Sequence, residues 1–436
     1  MHSSPAMGNS MPEAWLDQLA ARRRAGSGEG ITSICSAHPA VIEAVFRAAR
    51  NRPVLIEATC NQVNQDGGYT GMTPEAFRRF VVGIAAEAGY DSSRLVLGGD
   101  HLGPNPWRRL LADGAMARAE AMVAAYVAAG FRKIHLDASM SCGGDPESLD
   151  DDIVAKRSAR LALAAEGSAA SAGVEPPLYV IGTEVPAPGG MASEHAIEVT
   201  RAAAAAATLA AHEEAFAEYG VGEAFRRVVA LVVQPGVEFG QEHVSVYDSA
   251  AAEGLKRLLD TETALVLEAH STDYQPPEML AALVRDGFAI LKVGPAVTFA
   301  LREALYGLDR IAAELDPAWA EDSLEMTMEK LMLANPSHWQ GYASGSEAGQ
   351  RVLRHYGYSD RIRYYWPAPE AVAAVDRLLG RFGSREVPPT LVGQFLARSY
   401  PGVRDGRLTA TPRALIRDHI QDVLADYASA TQAHRT

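Results

Sequence analysis

Residues 95–137 read LVLGGDHLGPNPWRRLLADGAMARAEAMVAAYVAAGFRKIHLD. Two short apolar runs, Leu95–Gly99 and Lys133–Asp137, flank an amphipathic segment, Ala115–Ala129. Neither run alternates strictly, which is how strands buried on both faces look. The segment between them is rich in Ala, Arg and Glu, as helices are. The stretch is therefore a strand–helix–strand unit.

The same unit recurs in both directions. Further strand-like runs are Ile31–Cys35, Val54–Ala58, Leu178–Thr183, Val228–Gln234, Ala264–Ala269 and Ala289–Val293. Helix-like segments between them are Pro39–Ala49, Pro74–Ala88, Asp150–Gly167, His195–Tyr219, Ala250–Asp260 and Pro276–Arg285. Eight strands alternating with helices predict an α/β fold, a (β/α)8 TIM barrel. An open doubly wound sheet competes, but no G-x-G-x-x-G follows the first strand. Beyond Thr298 the pattern becomes helical, with candidates Thr298–Leu315, Ser323–Ala334, Ser346–Gly357, Pro369–Leu379, Thr390–Ser399 and Pro412–Tyr427. The expected organisation is a disordered leader (1–14), the barrel (15–299), a helical extension packed on it (300–427) and a disordered tail (428–436).

Composition narrows the function classes. The chain has 436 residues, with Lys+Arg 40 against Asp+Glu 54, so its formal charge is 40 − 54 = −14. That balance argues against nucleic acid and anionic membranes as partners. No apolar run is long enough to span a bilayer. Three scattered cysteines, Cys35, Cys60 and Cys142, give no disulfide framework and point to a cytoplasmic setting.

Barrel chemistry sits at the C-terminal strand ends, and here those ends are crowded with polar groups. They carry Asp100-His101, Asp137, Glu184, Gln234, His270-Ser271-Thr272-Asp273 and Lys292-Val293-Gly294. A capping Asp or Ser explains one such end, but not six in succession. His101, Glu184 and His270 come from separate strands and form a two-His, one-carboxylate set for a divalent metal, zinc first and manganese second. Asp100 and Asp137 are the candidate acid/base carboxylates, although Asp100 could instead orient His101 or cap a helix. His135 shares a strand face with Asp137 but lies deeper, and reads as structural or as a support behind the ligating and reactive groups. In Ser359–Trp366, two arginines stand beside three aromatics; they either fill core or grip a phosphate or sugar.

Several of these motifs are long. Cys-Ser-Ala-His-Pro (35–39), Glu-Ala-Thr-Cys-Asn-Gln-Val-Asn-Gln (57–65), Gly-Gly-Asp-His-Leu-Gly-Pro-Asn (98–105) and Glu-Ala-His-Ser-Thr-Asp-Tyr-Gln (268–275) resemble the family of tagatose-bisphosphate aldolase non-catalytic subunits. Ile-Gly-Thr-Glu-Val-Pro (181–186) and Ser-Asp-Arg-Ile-Arg-Tyr-Tyr-Trp-Pro (359–367) continue the resemblance, which covers roughly residues 15–425. The family is similar, more distantly, to metal-dependent class II aldolases. Asp100-His101 and His270 match aldolase positions, while Gln234 stands where those enzymes carry a third histidine. Some members of the family are sugar 4-epimerases.

The resemblance implies one of two functions. The first is a 4-epimerase acting on a phosphorylated ketohexose, turning tagatose 6-phosphate into fructose 6-phosphate. The second is a stabilising partner of a class II aldolase catalytic subunit. A homo-oligomer is compatible with either. For the enzyme reading, Asn61, Asn64, Gln65, Gln234, Ser271, Thr272, Asp273, Lys292 and Gly294 are the expected substrate-facing residues, with Arg361 and Arg363 closing over the phosphate.

Overall fold

The computed structural model describes residues 12–182 and 197–432. Eight parallel strands close into a barrel: β1 (Ile31–Ile34), β2 (Val54–Thr59), β3 (Leu95–Leu102), β4 (Lys133–Leu136), β5 (Leu178–Gly182), β6 (Val228–Val233), β7 (Val266–Ala269) and β8 (Ile290–Val293). Around the barrel they run β1-β8-β7-β6-β5-β4-β3-β2. The seam is a parallel ladder in which Ile31 faces Ile290 and Ile34 faces Val293.

Local chemistry sets the helices between the strands. Helix Pro39–Ala49 begins with proline at its first turn, and the His38 side chain accepts the Ala40 amide at 3.2 Å. Helix Pro74–Ala88 starts on a Thr73 cap and stops at Gly89, whose φ of 69° suits glycine.

The barrel interior is layered. Its lower layer is apolar: Ile31, Leu55, Val96, Val180, Ala230, Val266 and Ile290 pack there, and Leu16 and Leu19 close it from below. The layer above is charged, with Glu57, Lys133 and Glu268 wholly buried. Gly98 makes room for it, because a Cβ there would lie 2.8 Å from the Glu57 side chain.

Strand β3 extends beyond its predicted end, and the reason is a bulge. Gly99 pairs with Ile134 and Leu102 with Leu136, so Asp100 and His101 together face one residue, His135. A bulge suspends the two-residue alternation and turns both side chains toward the barrel. His101 meets this with φ of +48°, a conformation that costs a non-glycine residue on the order of 1 kcal/mol.

After β8 the chain is helical. Helix Pro295–Leu315 runs through residue 299, where the sequence reading placed the barrel's end. Asp273, from the loop after β7, caps this helix by accepting the amides of Gly294 and Ala296 at 3.0 and 2.8 Å. The last helix, Pro412–Ala430, packs against helices 39–49, 277–285 and 295–315. It carries Tyr427 into contact with Thr272 and extends past the expected tail boundary at 428. A short hairpin, Glu238–Phe239 with Val244–Ser245, was not anticipated. Among the described residues, no helix is long and apolar enough to cross a membrane.

Asp273→Ala should cost about 1 kcal/mol through the lost cap, read as a lower urea midpoint. Burial pushes the Asp273 carboxyl up to about 6, so Asp273→Asn, which keeps the acceptor without a charge, should melt close to wild type. An alanine variant as stable as wild type would show that the cap does not matter.

Candidate functional site

At the strands' C-terminal ends the bulge, β4 and the end of β7 bring four side chains together. Asp100, His101, His135 and His270 each offer one ligand atom, and these atoms lie within 4.8 Å of one another. The His101 ring is 4.8 Å from His270 and 5.0 Å from His135, centroid to centroid.

Hydrogen bonds fix which nitrogens remain free. His101 Nδ1 is 2.7 Å from Asp137 Oδ2, which leaves its Nε2 unspent. His135 Nδ1 lies 2.9 Å from Asp100 Oδ1 and 3.2 Å from the His101 amide. It cannot donate to one and accept from the other. The shorter contact, to an ionised carboxylate, places the proton on Nδ1 and leaves Nε2 with its lone pair. His270 Nε2 is 3.0 Å from Glu268 Oε1, and its Nδ1 is buried without a hydrogen-bond partner.

The charges follow from burial and neighbours. Burial alone would raise Asp100, but His101, Lys292 and the bond from His135 hold it well below the usual carboxylate range. Burial would likewise raise Asp137, yet its bond to His101 and that ring's charge hold it low. His101 is pushed up because Asp100 and Asp137 outweigh its burial. Burial brings His270 down to about 3, so its ring is neutral.

This donor set fits a divalent cation. Imidazoles beside an ionised carboxylate are the ligands such an ion takes; His270 already offers a neutral ring, His101 would give up its Nε2 proton to the ion, and an orphaned buried imidazole nitrogen is otherwise costly. The set differs from the one expected from the sequence. His101 and His270 are in it. Asp100, expected as an acid/base, and His135, expected as structural or as a support behind the ligands, join them. Glu184 lies outside the described residues. Gly182, at the end of β5, lines a small cavity with His101, His135, Asp137 and Ser139.

The expected substrate-facing residues are mostly committed elsewhere. Lys292 was expected at a phosphate; instead its ammonium turns inward, 2.5 Å from Asp100 Oδ1 and in contact with Glu57. The Gly294 amide is taken by Asp273. Thr272 donates to the Lys292 carbonyl at 2.5 Å, and Ser271 to Glu238 at 3.0 Å. Gln234 accepts the Gly236 amide, and Asn64 accepts the amides of Asp66 and Gly68. Gln65 donates to the Arg118 carbonyl. Asn61 is exposed.

The 359–366 segment fills core with its apolar residues and stacks its arginines on tyrosine rings. Ile362, Tyr365 and Trp366 are core. Arg361 is buried, with its guanidinium over the Tyr342 ring. Arg363 is partly exposed, lies over Tyr364 at 4.5 Å and donates to its hydroxyl at 3.1 Å. Tyr364 meets Tyr69 of the β2 loop edge-on at 5.0 Å. Thr298 donates to Asp360, and Tyr274 to the Tyr358 carbonyl, which anchors the segment beside the loops after β7 and β8.

Sequence reasoning missed His135, Glu57, Lys133 and Glu268. A signal for the last three existed. A charged residue inside a run that must be buried on both faces needs a partner or a purpose.

Comparison with known proteins agrees with this architecture. A protein from Agrobacterium fabrum (strain C58 / ATCC 33970) named D-tagatose 6-phosphate 4-epimerase is 54% identical over 423 residues, covering 96% of this chain and 98% of its own. A crystal structure from Sinorhizobium meliloti 1021, described as a probable tagatose 6 phosphate kinase, is 54% identical with a TM-score of 0.86, covering 92% of this chain and 100% of its own. Residues 16–432 match the family described as D-tagatose-1,6-bisphosphate aldolase subunit GatZ/KbaZ-like. That match spans nearly the whole length, and the chain belongs to this GatZ/KbaZ-like family.

Proposed function

We propose that this chain is an isomerase, a metal-dependent epimerase that inverts C4 of D-tagatose 6-phosphate to give D-fructose 6-phosphate. The observation that carries the reading is a metal-competent imidazole cluster with a second carboxylate, Asp137, on its flank, in a chain 54% identical to a protein named for that epimerisation. The kinase description of the Sinorhizobium structure finds no support in the sequence, which lacks G-x-x-x-x-G-K-[ST].

C4 of a 2-ketose is β to the carbonyl, so its hydrogen is not acidic and enolisation cannot invert it. Cleaving and remaking the C3–C4 bond can. Asp100, His101, His135 and His270 would hold a divalent ion, zinc first and manganese second, with Glu184 kept as a further candidate ligand. Such an ion supplies Lewis-acid polarisation of the ketose carbonyl. Asp137 takes the proton from the C4 hydroxyl. The C3–C4 electron pair then moves into the enediolate of dihydroxyacetone, releasing glyceraldehyde 3-phosphate. The aldehyde turns its other face, C3 re-adds, and the proton held on Asp137 returns to the new C4 oxygen. Asp100, held ionised beside Lys292 and His135, carries no proton to return, so it is assigned to the ion rather than to proton transfer. Arg363, with Arg361 behind it, holds the phosphate beside the loops after β7 and β8, and Asn61 meets sugar hydroxyls.

The family description favours a second reading, a stabilising partner of a class II aldolase catalytic subunit. The two separate in one assay. Purified protein is incubated with tagatose 6-phosphate before and after exhaustive chelation, and fructose 6-phosphate is read by a coupled enzyme. Turnover that vanishes with the metal and returns with zinc or manganese is the expected result. Undiminished turnover in metal-free protein defeats the metal centre, and no product under any condition defeats the epimerase.

A further inference from the structure

Beneath the cluster lies a layer of buried charge that the chemistry above does not use. Lys133, from β4, is wholly buried. Its ammonium crosses the barrel to lie 2.6 Å from Glu57 Oε1 on β2 and 2.8 Å from Glu268 Oε2 on β7. These are ion-pair contacts rather than aligned hydrogen bonds, since none of the three atoms has a hydrogen-bond partner. Lys292 contacts Glu57 and lies 2.5 Å from Asp100 and 3.5 Å from Glu268. Three carboxylates thus share two ammonium groups. Stability alone does not account for this layer. Burying each ion costs several kcal/mol, and well-packed apolar side chains of similar volume are often as stable or more so.

What the layer does is visible at its upper edge. Glu268 uses one oxygen on Lys133 and presents the other to His270 Nε2 at 3.0 Å. An ionised carboxylate only accepts, so Nε2 carries the ring proton. The lone pair is left on Nδ1, the buried nitrogen without a protein partner. We propose that Lys133 is a positioning residue for the metal centre: it clamps Glu268 and so fixes His270 in the tautomer whose Nδ1 can ligate. A carboxylate behind a ligating histidine is the usual orienting device; here that carboxylate is itself held by an ammonium from the opposite side of the barrel. The inference rests on the metal-centre reading given under Proposed function.

The test measures binding and ring chemistry rather than turnover. Lys133→Met removes the clamp but leaves two carboxylates short of a cation, and it could fail to fold. Lys133→Met/Glu268→Gln removes one charge of each sign and keeps the shape. Apoprotein is titrated with zinc by calorimetry, cobalt-loaded protein is read by its d–d absorption, and the His270 ring nitrogens are read by 15N NMR. The folded variants should bind zinc roughly 10- to 100-fold more weakly, with a changed cobalt spectrum and a mixture of His270 tautomers. A folded variant with wild-type zinc affinity and an unchanged spectrum overturns the role of Lys133. Should neither variant fold, the wild-type apoprotein decides: a proton on His270 Nδ1 overturns the proposal, and a proton on Nε2 supports it. Wild-type protein that takes up no divalent ion would defeat the metal-centre reading instead, a distinguishable failure.

Discussion

Asp137→Asn should leave the protein folded and metal-loaded while lowering epimerisation by roughly 10²- to 10⁴-fold, the usual contribution of a positioned general base. Asparagine is nearly isosteric, and its carbonyl oxygen can still accept from His101 Nδ1 at the site of the present 2.7 Å contact. The ligand nitrogen therefore stays where it is. What is lost is the ability to take a proton. Asp100→Asn should behave differently, because Asp100 faces Lys292 at 2.5 Å and His135 at 2.9 Å. Neutralising it removes a counter-charge from a buried pair, which costs about 3–5 kcal/mol, so stability and metal content should fall together with rate. Turnover number, metal per chain and thermal midpoint for both variants check this contrast. An Asp137→Asn enzyme near the wild-type rate would remove Asp137 from the chemistry.

The contrast between these aspartates also shows how far the sequence could be read. The eight strands were legible because each is an apolar run without alternation, and their ends fell within a few residues of the observed ones. Alternation was also what misled. It puts His135 and Asp137 on one face of their strand with His135 the deeper of the two, which sets His135 aside from the reactive groups. The bulge opposite His135 breaks that rule, and nothing in Gly98-Gly99-Asp100-His101 announces a residue at φ +48°. The same bulge brings His135 into the cluster.

Donors at the rim failed for another reason. Sequence shows that Ser271, Thr272, Asp273 and Gly294 carry hydrogen-bonding groups. It does not show that the loops consume them: Asp273 on the amides of Gly294 and Ala296, Thr272 on the Lys292 carbonyl. Lys292 reads as a donor to the substrate phosphate because it lies near a strand end. Its place one layer down, among Glu57, Asp100 and Glu268, follows only from the barrel register, where Lys292 lies opposite Ser33 of β1.

The isolated protein should convert tagatose 6-phosphate without any partner, and His270→Ala should abolish that conversion. The effect is large because His270 supplies the one cluster nitrogen that is buried and unpartnered; removing it takes a ligand and opens a gap in the same step. An epimerase that cleaves C3–C4 must also retain glyceraldehyde 3-phosphate until it re-adds. A slow leak of triose phosphate should therefore accompany turnover, at a small fraction of its rate, and disappear with it in His270→Ala. A non-catalytic subunit predicts the reverse pattern. It would give neither product alone, would be indifferent to His270→Ala, and would raise the rate or stability of an added class II aldolase subunit. Such a partnership would need an interface of about 1,600 Å² in total, remote from the buried cluster. Because the cluster lies inside the barrel and an interface lies outside it, the His270→Ala variant separates the readings cleanly. Loss of turnover with intact partner binding assigns the chemistry to this chain, whereas silence of the wild type with rescue of the partner assigns it to the other.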